Sequence, residues 1–255
     1  MPMPIYPHPR QEAEMWSKIM QAVKKYQMIE KGDRIAVGVS GGKDSLTLLR
    51  FLKLFQQYQV LDFEMVAIHM YTADLSSGNI SDPNHIRELC EEWEIPYDEE
   101  TVHLTDPQYN KKNKIDCYWC SFQKRRVLFK MAEKHQCNKI AFGHHADDAV
   151  ITAFMNMFYL SAMIPLKPFH PFFGGKYYVI RPLIFLRESE IMRYAKILGF
   201  PSLPCNCPVG KNGRREQLKD LLDRLEKEIP EIVHSVSAAM LKNEEKLEKI
   251  GMPTK

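Results

Sequence analysis

Residues 35–45, IAVGVSGGKDS, decide the fold, because they predict a short buried strand that runs into a glycine turn and then a helix. The two adjacent glycines can adopt positive φ and bring backbone N–H groups close to an anion. The first turn of the helix adds more N–H groups and the positive end of its dipole. The segment therefore predicts a phosphate site formed by Ser40, Gly41, Gly42, Lys43 and Ser45.

Two other interpretations of this segment fit it less well. A Walker A loop needs Gly-x-x-x-x-Gly-Lys followed by Ser or Thr, but Gly38 stands one residue too close and Asp44 replaces the hydroxyl residue. A plain strand-to-helix turn would explain the glycines, but it would not explain Lys43 and Asp44 together. We therefore expect a phosphate loop of another type.

Length and composition are those of an ordinary globular protein. The chain has 255 residues, of which 45% are hydrophobic, and its net charge of +3 indicates no particular partner. No apolar run approaches the ~20 residues of a membrane span, and no signal-peptide core is present, so we expect a cytoplasmic protein without a membrane segment. In a reducing compartment, its six cysteines are expected to be metal ligands or catalytic thiols rather than disulfides.

Strands and helices alternate along the chain, which predicts an α/β fold with a doubly wound, Rossmann-like parallel sheet. Besides the strand before the phosphate loop, further strands are expected at 63–71, 97–104, 139–145 and 177–180. Helices are expected at 11–28, 46–55, 83–93, 149–160, 188–198 and 214–250, the last one interrupted at Pro230, and another continues from the cysteine segment at 111–126. Prolines and glycines predict a loop at 162–175.

We divide the chain into three parts on this pattern. Residues 1–30 are expected to form an N-terminal helical extension, residues 31–210 the catalytic domain, and residues 211–255 a C-terminal helical tail. Polar side chains follow the fourth strand in the stretch GHHADD, which includes His144 and Asp147. Residues just beyond the carboxyl end of a strand lie where open α/β sheets bind ligands.

Cys117 and Cys120 have the spacing at which two thiolates on one helical turn can hold a single metal or cluster. Cys205 and Cys207 follow about 85 residues later in a turn stiffened by prolines, and one or both could complete the site. An iron–sulfur cluster is the favoured interpretation. A zinc site with four cysteines and a redox-active Cys-x-x-Cys pair are the alternatives.

Five motifs occur together and in order: SGGKDSLTLL, CYWCSFQKRRVLF, GHHADD followed by MNMFY, YYVIRPLIFLRE, and LPCNCP. In this order they resemble the tRNA 2-thiocytidine synthetases of the PP-loop ATP pyrophosphatase family, and they span most of the chain. The related tRNA 2-thiouridine synthetases are similar but carry terminal zinc-binding cysteine pairs that this sequence lacks. The resemblance implies the adenine nucleotide alpha hydrolase-like PP-loop fold, with N- and C-terminal helical appendages.

The resemblance also implies a reaction. Members of this family adenylate the C2 oxygen of a cytidine in the tRNA anticodon loop and replace it with sulfur, releasing AMP and pyrophosphate. The implied cofactors are ATP, Mg²⁺ and a 4Fe-4S cluster held by three cysteines, and the implied partners are tRNA and either sulfide or a sulfur-donor protein such as a cysteine desulfurase. A homodimer is a further expectation.

Residue roles follow position by position from the same resemblance. Asp44 matches a catalytic aspartate, Lys124 a lysine that faces the reaction centre, and Asp147 or its neighbour Asp148 the acidic counterpart of that lysine. His144 is expected to line the nucleotide pocket. The family usually shows Cys-Asn-x-Cys where this chain has Cys-Asn-Cys-Pro, so the third cluster ligand is Cys205 or Cys207, and the alignment favours Cys207.

A basic surface beside the cysteines is the expected tRNA-binding face, since each lysine or arginine that neutralises a phosphate releases counterions. Tyr118 and Trp119 could stack on unpaired bases or shield the cluster. Two other functions stay open: a PP-loop ligase that uses nitrogen, and a non-enzymatic metal-stabilised RNA-binding protein. The basic residues of the surface are Lys111, Lys112, Lys114, Lys124, Arg125 and Arg126, with Arg214, Arg215 and Lys219 as an extension.

Overall fold

The centre of the molecule is a six-stranded sheet. A computed structural model of the chain describes residues 9–72, 83–105, 117–162, 164–201 and 213–249. The strands lie side by side in the chain-order numbering 3-2-1-4-6-5, and all pairs are parallel except the last, which is antiparallel. They are β1 (Asp33–Val39), β2 (Phe63–Thr72), β3 (Tyr97–Val102), β4 (Lys139–Ala141), β5 (Phe169–Phe172) and β6 (Tyr177–Ile180).

Helices cover both faces of this sheet. One face packs on Leu128, Met131 and Ala132, which belong to the fourth helix, and the second and third helices cover the other face. The last two helices pack against the fifth. In the described part of the chain the helices are α1 (Pro9–Lys25), α2 (Lys43–Gln57), α3 (Pro83–Glu92), α4 (Cys117–Lys134), α5 (Ala146–Leu160), α6 (Glu188–Ile197), α7 (Arg214–Glu228) and α8 (Ile232–Lys249).

The strand order reverses between β1 and β4. The chain moves outward in one direction from β1 through β2 to β3, and in the other direction from β4 to β6. Doubly wound sheets bind ligands in the crevice at the carboxyl ends of the two strands where the order reverses, and here those strands are β1 and β4. The predicted doubly wound α/β fold is confirmed.

The terminal helices share the core of the sheet domain. Met15 and Val23 of α1 and Leu218 and Leu222 of α7 are buried in the same apolar cluster as α2. Their apolar residues recur at helical spacing, so each helix turns one stripe toward the core. The division of the chain at residues 30 and 210 stays a prediction. None of the described helices combines the length and the apolar character that crossing a membrane requires.

Several predicted boundaries were wrong, and the loop expected at 162–175 contains a strand. Within it β5 pairs antiparallel with β6, and residues 173–175 form a short 3₁₀ turn. Pro171 contributed to the prediction of a loop, but proline is tolerated in β5 because this strand lies at the sheet edge. Two strands are shorter than expected, since β3 ends at Val102 and β4 ends at Ala141. Helix α5 begins at Ala146, three residues earlier than predicted.

Candidate nucleotide and metal site

The phosphate loop joins β1 to α2 and is shaped by two serines. Gly41 adopts a φ of 78°, a conformation that glycine adopts more readily than other residues. Helix α2 begins at Lys43. Ser45 accepts a hydrogen bond from the N–H of Ser40 at 3.1 Å and donates one to the carbonyl oxygen of Gly42 at 2.9 Å. These bonds close the loop on itself. The first N–H groups of α2 have no partner within the helix, so the loop presents them to an anion.

The loop after β4 touches the phosphate loop directly. A Cβ atom added to Gly143 would lie 2.7 Å from the carbonyl oxygen of Asp44 and 3.1 Å from the nitrogen of Ser45. Any larger residue would push the two loops apart. Glycine is therefore required at this position because two backbones approach each other closely.

Lys43, the predicted phosphate lysine, lies between two carboxylates. Its Nζ is 3.1 Å from both carboxylate oxygens of Asp44 and 3.0 Å from Oε1 of Glu188 at the start of α6. Burial alone would lower the pKa of Lys43, but these two carboxylates outweigh it and raise the pKa above its ordinary value. Lys43 therefore stays charged at neutral pH.

Glu188 has a second cation, which comes from α7. Lys219 Nζ lies 2.9 Å from Oε1 and 2.8 Å from Oε2 of Glu188. Burial would raise the pKa of Glu188, yet Lys219 and Lys43 together lower it. One carboxylate therefore joins the phosphate loop to the C-terminal helix.

Asp147, predicted to be catalytic, is held on several sides. Arg187 Nε lies 3.1 Å and its Nη2 3.0 Å from Oδ1 of Asp147, and the N–H of Glu188 donates to Oδ2 at 2.7 Å. Nδ1 of the buried His145 is 3.3 Å from Oδ2. Burial would raise the pKa of Asp147, but these partners depress it far below its usual range. This carboxylate fixes the position of the loops and stays ionised.

Asp148 is the other candidate for the acidic role. Its Oδ2 accepts the N–H of His145 at 3.1 Å and caps α5, while Arg215 of α7 pairs with its other oxygen. His145 Nε2 lies 3.8 Å from Asp44 and 3.4 Å from Asp148. Burial would lower the pKa of His145, but the surrounding carboxylates raise it.

His144, which precedes His145 in the loop after β4, is held by Arg181 as a neutral ring. Arg181, at the carboxyl end of β6, donates through Nε to His144 Nδ1 at 3.2 Å. Burial and the nearby Arg181 charge lower the pKa of His144 to about 4. An accepting Nδ1 leaves Nε2 with the proton, so His144 can offer one N–H donor to a ligand.

Lys124 lies on α4 and acts electrostatically on His69 of β2. Its charge helps to lower the pKa of His69, although burial is the larger cause. His69 Nδ1 is 2.9 Å from the carbonyl oxygen of Val39, the last residue of β1, and its Nε2 has no hydrogen-bond partner among the described residues.

Cys117 and Cys120 stand one turn apart at the start of α4. The sulfur-bearing side chain of Cys120 is partly exposed, and the side chain of Cys117 is outside the described set. A helix N-terminus favours thiolates, so the donor type, the spacing and the position all fit a metal or cluster. Cys205 and Cys207 lie outside the described residues, and the described part of the chain contains no metal-binding group of three or more His, Cys, Asp and Glu side chains.

The predicted RNA face is only partly described, because Lys111, Lys112 and Lys114 lie outside the described residues. Tyr118 is 74% exposed and available for stacking, whereas Trp119 donates its Nε1–H to the carbonyl oxygen of Leu104 at 2.9 Å. The residues of the expected extension have contacts within the protein. Arg215 and Lys219 are engaged in ion pairs with Asp148 and Glu188, and Arg214 lies 4.4 Å above the ring of Tyr159.

Sequence reasoning missed Arg181, Arg187 and Glu188. All three follow the carboxyl end of β6 in the stretch RPLIFLRE, beside the crevice. The rule that drew attention to the residues after β4 applies equally after β6 and could have found them.

This geometry agrees with the comparisons with known proteins. A family model described as a PP-loop domain matches residues 12–201. The chain belongs to the PP-loop family. The predicted resemblance is therefore confirmed.

The chain is also similar to individual relatives and to a solved structure. The chain is 36% identical to the tRNA-cytidine(32) 2-sulfurtransferase of Cronobacter sakazakii and 35% identical to that of Vibrio cholerae, in each case over 86% of this chain and 71% of the relative. It also resembles the U34-tRNA thiolase NcsA from Methanococcus maripaludis with its 4Fe-4S cluster, with a TM-score of 0.71, 23% identity, and coverage of 91% of this chain and 78% of that one. The structural likeness supports the fold.

Proposed function

We propose that this protein is an ATP-dependent tRNA sulfurtransferase that acts on a cytidine of the anticodon loop. The observation that carries the proposal is the shared crevice after β1, β4 and β6, where the phosphate loop meets the start of α5 and α6. Family membership and relatives named tRNA-cytidine(32) 2-sulfurtransferase support the substrate class. The chemistry then needs two activations, one of the base and one of sulfur.

The first activation is adenylation. The C2 oxygen of cytidine attacks the α-phosphorus of ATP, the bond to the β-phosphate oxygen breaks, and pyrophosphate leaves. The N–H groups of residues 41–45 and the charge of Lys43 stabilise the departing phosphates. Asp44, whose side chain is 34% exposed beside the loop, is a suitable carboxylate for Mg²⁺ bound to those phosphates.

The second activation delivers sulfur. Sulfide attacks C2 of the adenylated base, and the C2–O bond breaks as AMP leaves with the oxygen. Cys117, Cys120 and Cys207 are the proposed ligands of a 4Fe-4S cluster, which would hold and activate the sulfide. Lys124 is the proposed cation at the reacting base, and His144 contributes an N–H donor to the pocket.

Anaerobic purification followed by iron and sulfide analysis tests the cluster. We expect about four irons per chain for the parental protein. Cys117→Ala, Cys120→Ala and Cys207→Ala should each lose the cluster, while Cys205→Ala should keep it. The control is Cys137→Ala, because Cys137 is buried at the other end of the sheet. Zinc in place of iron would favour a structural metal and would contradict the proposal.

AMP and pyrophosphate release with added tRNA tests the enzyme class. Both products should appear in equal amounts and should depend on tRNA. Binding of tRNA with no AMP release would indicate a non-enzymatic RNA-binding protein. AMP release together with incorporation of nitrogen into the base would indicate a PP-loop ligase of another kind.

A further inference from the structure

Three charged side chains form an alternating row from the phosphate loop to α7. Lys43 Nζ is 3.0 Å from Glu188 Oε1, and Lys219 Nζ is 2.9 Å from the same oxygen. The side chains of Lys43 and Glu188 are 16% and 19% exposed, whereas that of Lys219 is 44% exposed. The two inner groups are therefore poorly solvated, and the outer one can adjust its position.

A phosphate cannot bind Lys43 without replacing one of its ion pairs. Nζ of Lys43 has three protons, and in the described structure its partners are Asp44 and Glu188. When phosphate takes the place of one carboxylate, that carboxylate loses a cation in a half-buried site. A half-buried carboxylate without a partner is unfavourable, so its second cation decides how easily it releases Lys43.

Helix α7 supplies that second cation as part of a wider contact. Arg215, Lys219 and Glu226 lie four and seven residues apart on one face of α7, and each pairs with a residue at the crevice. These crevice residues are, in the same order, Asp148, Glu188 and Arg187.

We propose that ATP binding is an ion-pair exchange, in which Lys43 leaves Glu188 for phosphate and Lys219 retains the carboxylate of Glu188. Lys219 and Glu188 are thus positioning residues, and α7 completes the nucleotide site. The inference rests on the proposed function in that it takes ATP as the ligand of the phosphate loop.

Calorimetric titration with α,β-methylene-ATP, whose α–β linkage cannot be cleaved, tests the exchange without tRNA or turnover. Lys219→Met leaves Glu188 with Lys43 alone, so affinity for the analogue should fall about tenfold, or ~1.4 kcal/mol. Lys219→Arg should keep the parental affinity. Glu188→Gln removes the competing charge and should raise affinity severalfold.

The double variant separates exchange from a structural role of Lys219. Adding Glu188→Gln to Lys219→Met should restore affinity to within about threefold of the parental value, because no carboxylate then holds Lys43 back from phosphate. Lys227→Met is the matched control, since Lys227 is exposed near the end of the same helix, and it should bind normally.

Three results would overturn the exchange. Parental affinity in Lys219→Met would show that α7 is not coupled to the phosphate loop. If Glu188→Gln does not restore the affinity lost in Lys219→Met, the role of Lys219 is to hold α7 in place. Lower affinity in the Glu188→Gln single variant would show that Glu188 supports phosphate binding instead of competing with it. Tight analogue binding without tRNA thiolation would refute the proposed function alone, and absence of analogue binding by the parental protein would refute both.

Discussion

The amino end and the carboxyl end of the sheet each hold a lysine paired with carboxylates, but the two sets of ion pairs differ. At the amino end, Lys139 of β4 lies 2.6 Å from Asp33 of β1, and the two residues are 2% and 4% exposed. Asp33 also accepts the N–H of Glu30 at 2.6 Å and the amide of Asn138 at 2.7 Å. At the carboxyl end, Lys43 is shared between the carboxylates of Asp44 and Glu188 beside the phosphate loop.

This difference separates a structural ion pair from a functional one. The Asp33 carboxylate has partners on both oxygens, so nothing further can bind there without breaking the link between β1 and β4. Lys43 can change partners, because Asp44 is partly exposed and Glu188 has a second cation. We expect substitutions at the amino end to affect folding and substitutions at the carboxyl end to affect chemistry.

Asp33→Ala should give the largest loss of stability. It leaves the buried Lys139 charge with only the exposed carboxylate of Glu30, 3.4 Å away, as a partner, which lowers the free energy of unfolding by about 3–5 kcal/mol. Urea unfolding followed by circular dichroism measures the change. The control is Asp62→Ala, because Asp62 forms an exposed ion pair with Lys31 at 3.7 Å and should change stability by less than ~0.5 kcal/mol. Equal effects of the two substitutions would contradict the structural role of Asp33.

Lys43→Met should reduce activity strongly and stability only slightly, which is the reverse of Asp33→Ala. Loss of one charged donor at the departing phosphates should slow AMP release about 100-fold. Stability should change by less than ~1 kcal/mol, because Asp44 and Glu188 keep access to solvent or to Lys219. Quench-flow measurement of AMP and urea unfolding of the same preparation give both numbers. A folded Lys43→Met variant with parental AMP release would rule out the phosphate site.

Gly143→Ala tests the contact between the two loops of the crevice. The added Cβ meets backbone atoms of Asp44 at 2.7 Å, so we expect a loss of about 1–3 kcal/mol in stability together with weaker ATP binding. Gly38→Ala is the control within the same sheet, since its Cβ would meet side-chain atoms of Leu128 at 3.4 Å and those can shift. If both variants bind ATP equally well, the loops do not depend on each other.

Asp147→Asn should give the smallest effect, and its effect should depend on pH. The partners of Asp147 hold its pKa below the unfolded value of about 3.9, so its contribution to stability is present above that pH and is lost as pH falls further. We expect a deficit of about 1 kcal/mol at pH 6 that shrinks toward pH 3. Urea unfolding across this range measures it, and a deficit that grows in acid would reverse the assignment.

The local parts of the fold could be predicted from sequence because they depend on neighbouring residues. Residues 35–45 encode strand, turn and helix in one short segment, and the structure confirms β1 and α2 there. By contrast, β5 contains Pro171, and only its place at the sheet edge makes a strand possible.

The partners of the site residues could not be predicted in the same way. Glu188 meets Lys43 across 145 residues and Lys219 across 31, and no periodicity encodes such pairs. The expectation that Lys219 extends an RNA face followed from its charge alone. The structure shows that this charge is directed to Glu188.

Mass spectrometry of tRNA nucleosides tests the central claim most directly. The anaerobically purified protein is incubated with unmodified tRNA, ATP, Mg²⁺ and sulfide, and the digested tRNA is examined for 2-thiocytidine. The proposed function predicts one 2-thiocytidine per AMP released, and none with Lys43→Met or Cys120→Ala. AMP release with unmodified cytidine, or sulfur found only in uridine, would contradict it.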